Sequence, residues 1–485
     1  NLSDVMKIVD ELNYRYYHNE NPKKLNFKNQ DRKFLTALLD RMFRSGKCDI
    51  RTCYEKKQLW NGFLHHIHYQ PQNEEAEIFV HAMRTKGNES VYSEFEKLMQ
   101  ENRCQQAAEL LREKKGTSAL LRNMDYIISR MDREDEQTFL SEFPEDCSTL
   151  ILLQLLFRYE GVQRKDGRIF KFTQHNLMKV HYETPEESKK CQSRLTEEQV
   201  KEVGKMIRSK LSEKLRNRLG KVYIEPSMKN YTLPLAENTS QGGLGVLSKG
   251  SRIPIDEGKK LRAFTYWEKV NDIDLSVFAL TEDGNRREFS WRTMSRHQSG
   301  AITYSGDETS GYLGGSEYFD INLPEFKARY SEYRYLIFCD NVYSGKNFNE
   351  CFCKAGYMLR DWDDSGQVYE PKTVKSAYLV NCESTFAYLF GIDLFTNEFV
   401  WLNVAKNSKS RVAGDTNLSF LTDYFPLTDV MNMYDFFSMM AEKIVEDPME
   451  ADVVVTDHEV KCTEEAQIIR EYDFEKIRML MEDAK

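Results

Sequence analysis

Apolar residues recur at helical spacing over the first third of the chain. In RKFLTALLDRMF, Leu35, Leu38, Leu39 and Met42 fall on one face. The stretch SEFEKLMQENRCQQAAELLREKKGTSALLRNMDYIISRM carries the pattern through Leu98, Met99, Ala107, Leu110 and Leu111. It breaks at Gly116 and resumes at Leu120, Leu121, Met124, Ile127 and Ile128. Helices joined by short polar turns predict a small bundle or irregular solenoid over residues 1–160.

The period then changes. RIFKFTQHN and LMKVHYET, residues 168–184, alternate and predict a β-hairpin. In RLTEEQVKEVGKMIRSKLSEKLRNRL, Thr196 and Gln199 form a capping box. Val200, Val203, Ile207, Leu211, Leu215 and Leu219 make one apolar stripe along it. The other faces carry Lys201, Lys205, Arg208, Lys210, Lys214, Arg216 and Arg218. That basic face is a solvated surface in the plainer reading, and a contact for RNA or an acidic partner in the other. NTSQGGLGVLSKGS at 238–251 lacks the spacing of a phosphate-cradling loop and reads as a linker, so 161–250 is an αβ connector.

From 251 to 405 short alternating strands dominate: RIPI, LRAFTYWE, IDLSVFAL, EFSWR, AITYS, YFDINL, YRYLIFCDNV, CFCKAGYML, TVKSAYLVN, STFAYLFGIDL and EFVWLNVA. They predict an antiparallel β-sandwich. MNMYDFFSMMAEKIVED and EYDFEKIRMLMED predict a helical tail over 406–485. The fold class expected is therefore α+β.

Composition narrows the function classes. The 485 residues are 30% charged with a net charge of −9, which gives no support to general nucleic-acid binding. Ten scattered cysteines without a CxxC pair suit reduced thiols in the cytoplasm, and argue against a zinc finger. No signal peptide is evident, and LILLQLLF at 150–157 is far shorter than a membrane span of about 20 residues. The chain opens on Asn1 rather than Met, which leaves room for a preceding piece.

The chemistry concentrates in two segments. NDIDLSVFAL sets Asp272 and Asp274 two apart, on one face of a strand, where like charges repel unless a cation sits between them. ITYSGDETSGYLGGSEYFDINL adds Asp307, Glu308 and Glu317 within a glycine-rich loop. Glycine lets carbonyls turn inward, and calcium takes about six to eight oxygens in loose geometry. Carboxylates and carbonyls without cysteine favour a hard cation over zinc.

These segments carry a resemblance. DIDLSVFAL, GAITYSGDETSG, SEYFDINL, YLIFCDNVYSGKNF and the closing FVWLNVA resemble a TerD domain of the tellurium-resistance and stress-response family. The resemblance implies a calcium-binding β-sandwich with an Asp-x-Asp strand and a Ser-Gly-Asp loop. Asp272, Asp274, Asp307, Glu308 and Glu317 are then the ligand candidates, joined by backbone oxygens near Thr309 and Ser310. The family's loop is denser in acids, whereas YLGGS follows here, which implies weaker affinity or one ion fewer. The alternative is a TerD-like fold that has dropped its metal. The helices before it resemble bacterial multidomain TerD proteins; the RING-type zinc module that some of them carry has no Cys/His counterpart here.

Other candidates are weaker. His65, His66, His68 and His81 sit among apolar residues with no acid or cysteine to complete a site. DWDDSG at 361–366 begins like an EF-hand loop but meets Lys372 where a glutamate is needed, and reads as a hairpin turn. No GxSxG or HExxH motif occurs, and a Ser305, His297, Asp307 set is the only hydrolase triple drawn. The expectation is a non-enzymatic, calcium-binding stress-response scaffold, with other stress-response proteins as partners. A nucleic-acid-binding helical scaffold is the rival.

Overall fold

The computed structural model describes residues 2–17, 27–46, 50–85, 90–144, 146–161, 169–174, 177–190, 195–235, 245–256, 258–294, 300–345, 347–363, 366, 368–380, 382, 384–406 and 418–482. These form two compact units, residues 1–146 with 192–195, and residues 147–191 with 196–485.

The first unit is helical, as the 3.6-residue pattern predicts. It contains α1 (Leu2–Tyr17), α2 (Asn29–Arg44), α3 (Lys57–His66), α4 (Glu74–Arg84), α5 (Val91–Gln100), α6 (Cys104–Lys115), α7 (Thr117–Ile128) and α8 (Arg133–Ser141). Side-chain caps set three starts: Asn73, Ser90 and Asp132 accept from the amides of Ala76, Ser93 and Asp135. Two apolar clusters fill the unit. One gathers Leu35, Leu39, Phe43, Trp60 and Phe79. The other gathers Phe95, Met99, Leu111, Leu120 and Ile127.

The second unit opens with α9 (Thr149–Glu160), the apolar run expected at the end of the helical region. It packs instead on α11 (Glu197–Leu215), where Arg208 pairs with Glu160. Between them lie β1 (Ile169–Gln174), β2 (Leu177–Tyr182) and α10 (Pro185–Lys190). β1 and β2 form the predicted hairpin. The Thr196–Gln199 capping box is present, and Val203, Ile207, Leu211 and Leu215 are buried. Leu219, expected on the same stripe, begins β3 (Leu219–Ile224) because the helix ends at Leu215.

The strands of the next segment are β4 (Arg252–Pro254), β5 (Lys260–Glu268), β6 (Asp272–Leu280), β7 (Arg286–Phe289), β8 (Ile302–Tyr304) and β9 (Gly315–Ile321). After α12 (Leu323–Arg329) come β10 (Tyr335–Ser344), β11 (Phe352–Arg360), β12 (Val374–Leu379), β13 (Phe386–Asp393) and β14 (Glu398–Lys406). One sheet runs β1-β2-β14-β13-β10-β6-β7 with β4 beside β14. A second runs β12-β11-β5-β9-β8. All these pairings are antiparallel except a single parallel bridge, Lys406 to Met178. The sheets face one another. Thr265 of β5 donates to Asp340 of β10, and Tyr357 of β11 packs on Phe399 of β14 at 5.3 Å between ring centres.

The C-terminal segment departs from the all-helical expectation. It holds α13 (Leu427–Val430), α14 (Met433–Met440), β15 (Ala441–Ile444), β16 (Val453–Val455), β17 (Gln467–Ile469) and α15 (Phe474–Met481). The run MNMYDFFSMMAEKI switches from helix to strand at Ala441. β15, β3, β16 and β17 make a parallel sheet in that order. The connector's strand is thus completed by the tail, and no period within either segment alone reveals it. The described part of the glycine-rich stretch, from Gly245, is ordered by buried Ser248 and Ser251, which bond to Thr232; residues 236–244 lie outside the described residues.

A chain ending at Met440 loses both neighbours of β3. We expect it to lose the cooperative thermal transition of the second unit, monitored by circular dichroism. An unchanged transition would show that the tail is independent of β3.

Candidate metal centre

β6 lies between β10 and β7 and is buried along nearly its whole length. Asp272 and Asp274 lie on one face of it, 7% and 9% exposed. β10 supplies Asn341 opposite Asp274, and its side-chain amide donates to Asp274 Oδ2 at 3.2 Å. The loop between β8 and β9 brings Asp307. One oxygen from each of Asp272, Asp274 and Asp307 lies within 4.8 Å of the others. Among the described residues, no other such group of histidine, cysteine or acidic side chains occurs. Asp272 Oδ1 is buried without a hydrogen-bond partner.

The loop is pinned by a fourth acid. Glu317 is fully buried; its two oxygens accept from the amides of Leu275 at 2.8 Å and Glu308 at 3.0 Å. It ties the loop to β6 and stands outside the three-carboxylate group. Glu308 turns its own carboxylate onto the Ser310 amide at 2.7 Å. Glu308 and Ser310 are therefore engaged in shaping the loop, although the Glu308 charge still reaches Asp272. Of the six sequence candidates, the structure gathers Asp272, Asp274 and Asp307. It uses Glu308, Ser310 and Glu317 around them.

The glycines have a different cause from the one the sequence suggests. Gly311 and Gly315 lie flat on the Trp267 indole, where a Cβ at either position would stand 2.5 Å from the ring. The Gly311 amide donates to the Asn271 carbonyl at 2.8 Å, so the loop abuts the start of β6. Gly306 (φ 96°) and Gly314 (φ 137°) take left-handed backbone.

Burial and mutual repulsion oppose ionisation here. Burial, then the charges of Asp274, Asp307 and Glu308, push Asp272 up to about 6. Burial likewise raises Asp274, against the hydrogen bond from Asn341, and Asp307 adds to the rise. Burial pushes Glu317 well above the usual carboxylate range, opposed by its two amide donors. A cavity of about 20 Å³ against Asp274, Asn341, Ser276, Glu288 and Arg292 offers room for about one water.

Asp340 is a site residue that sequence reading missed. It is fully buried, turned away from Asn341 into the layer between the sheets, and accepts from Thr265 at 2.5 Å. Burial pushes it up to about 8, with Asp274 adding. Its only sequence signal is an acid in the middle of the apolar strand LIFCDNV; only the register sets it beside Leu275.

The other candidates find no such assembly. The His65 ring stands 5.9 Å from that of His66 and 6.3 Å from that of His68, and among the described residues no acid or thiol completes a metal-binding group with them. Ser305 donates to the Gly306 carbonyl and accepts from the Tyr318 amide, closing the loop's base, while His297 lies outside the described residues. On α11, Arg208 binds Glu160 and the Val430 carbonyl, and Lys214 binds the Cys147 carbonyl. Beyond its end, Arg218 reaches the Leu480 carbonyl. The basic face is partly spent inside the fold. Residues 364 and 365 of the EF-hand-like stretch lie outside the described residues; the stretch joins antiparallel β11 and β12.

Searches against protein-family models, curated proteins and solved structures found no match to the chain.

Gly311→Ala should destabilise the protein by about 1–3 kcal/mol, read by denaturant unfolding, because the indole cannot yield without moving the core. An unchanged midpoint would mean that the loop is not seated on Trp267. A carboxyl whose folded value exceeds its unfolded value holds its proton more tightly when folded. Such groups favour folding below about pH 4, and that contribution is lost as the pH rises through their folded values. Those values are about 6 for Asp272 and about 8 for Asp340. Chelator-treated protein should therefore melt at lower temperature at pH 8 than at pH 5. The opposite slope would contradict the carboxylate environments described here.

Proposed function

We propose that this chain is a calcium-binding, non-enzymatic protein of the tellurium-resistance and stress-response type, with a TerD-like sandwich acting in the cytoplasm as a binding scaffold. One observation carries the reading: three carboxylates converge from two separate segments, and the most crowded of them keeps a buried oxygen without a partner. Such an arrangement is costly on its own, and a divalent cation among the oxygens removes both the repulsion and the missing bond. The donor set holds no nitrogen or sulfur, which fits a hard cation. Calcium also tolerates the loose geometry of two strand aspartates and one exposed loop aspartate.

The same loop offers a way from ion to partner. Tyr312 and Leu313, just beyond Asp307, are 55% and 93% exposed. Ligation of Asp307 would add to the Glu317 and Trp267 contacts that already seat this apolar tip, which stands ready for a second stress-response protein. The rival reading, a nucleic-acid scaffold using the basic face of α11, draws less support because Arg208 and Lys214 are bound within the fold.

Calorimetric titration of chelator-stripped protein should show calcium binding at the micromolar-to-millimolar level. Asp274→Asn and Asp307→Asn should each weaken it at least about tenfold, since affinity follows ligand charge. No heat and no rise in melting temperature at millimolar calcium would leave a metal-free sandwich and sink the reading.

A further inference from the structure

The second observation concerns two cysteines and stands apart from calcium. β11 and β12 run antiparallel with Lys354 opposite Leu379. The Val380 amide donates to the Cys353 carbonyl at 3.0 Å, which extends the same pairing by one residue. The described pairing ends there; two more residues of the same register would bring Cys351 opposite Cys382, and directly opposed residues of antiparallel strands share one face at a Cα spacing that a disulfide can span.

The thiols converge on one turn. Cys351 Sγ lies 3.7 Å from the Phe348 carbonyl and Cys382 Sγ lies 4.0 Å from the Ser384 carbonyl. That Ser384 carbonyl itself accepts the Phe348 amide at 3.2 Å. Both cysteines are free and partly exposed. Cys353, two residues along β11, is by contrast 2% exposed and turned toward Asp340. A buried cysteine needs no explanation beyond packing, but two partly exposed ones beside the same Phe348–Ser384 contact do.

We propose that Cys351 and Cys382 are a redox pair that a peroxide closes to a disulfide, stapling the edge strand β12 to β11. One thiolate attacks a peroxide oxygen; the O–O bond breaks, a sulfenic acid forms, and hydroxide leaves as water. The second thiolate then attacks that sulfur, the S–S bond forms, and the sulfenic oxygen leaves as a second water. The two thiols lose two electrons and two protons, and hydrogen peroxide becomes two waters. Burial pushes both thiols up to about 11, so the pair answers an excess of oxidant rather than a trace. The stapled segment also supports β10: the Thr385 carbonyl accepts the Val342 amide at 2.7 Å, next to the Asn341 that holds Asp274.

The full chain is treated with millimolar hydrogen peroxide, alkylated, cut with trypsin and read by mass spectrometry. Cleavage after Lys346, Lys354, Lys375 and Lys406 puts Cys351 and Cys353 in residues 347–354, and Cys382 in residues 376–406. We expect these two peptides to be linked, two hydrogens lighter than their sum, and separated by dithiothreitol. The link should persist in Cys353→Ser and vanish in Cys351→Ser and in Cys382→Ser. The oxidised parent should melt about 2–4 °C higher than the reduced one. Recovery of both peptides alkylated and unlinked would overturn the proposal, as would a link that survives Cys351→Ser through Cys353.

Discussion

A single buried carboxylate organises the candidate site. Glu317 reaches from β9 to the Leu275 amide on β6 and to the Glu308 amide in the loop. The loop cannot leave β6 without breaking both bonds and stranding a buried acid, at about 1–3 kcal/mol for each unpaired group. That tether brings Asp307 to Asp272 and Asp274 despite three like charges. Trp267 finishes the seat, since Gly311 and Gly315 let the loop lie against its ring. The concentration of acids and glycines in one loop thus has two explanations. The acids split into one that pins, one that caps and one that faces the cluster. At least two of the glycines serve an indole.

The sheets give this arrangement its rigidity. β6 is held by β10 along its whole length, and β10 in turn by β13. Asn341 and Asp340 are neighbours on β10 that face opposite ways. One steadies Asp274, and the other bonds to Thr265 between the layers. Behind them, the thiols of Cys351 and Cys382 lie where β12 leaves the sheet. The parallel sheet built on β3 is made from two stretches separated by more than two hundred residues, so the tail closes the unit rather than trailing from it.

Much of this was legible in the chain. Alternation between polar turns located the eleven strands described between 251 and 405, because each is short and bounded by a turn or loop. The Thr196–Gln199 box marked the start of α11 because capping is local chemistry. Asp272, Asp274 and Asp307 were recognisable from spacing and charge. What escaped depends on distant partners. Ala441–Ile444 follows a helix without a turn signal, and its strand character comes from pairing with β3. Asp340 looks like an ordinary strand acid until the register buries it. Glu317 reads as a ligand until both of its oxygens are found on backbone amides. The role of Gly311 needs Trp267, which is forty-four residues away in sequence.

The most direct test of the account is a crystal structure of the protein grown with millimolar calcium near neutral pH. The account predicts an ion about 2.3–2.6 Å from oxygens of Asp272, Asp274 and Asp307, with Glu317 still on its two amides. A calcium ion bound elsewhere, or these three carboxylates left without one, would contradict it.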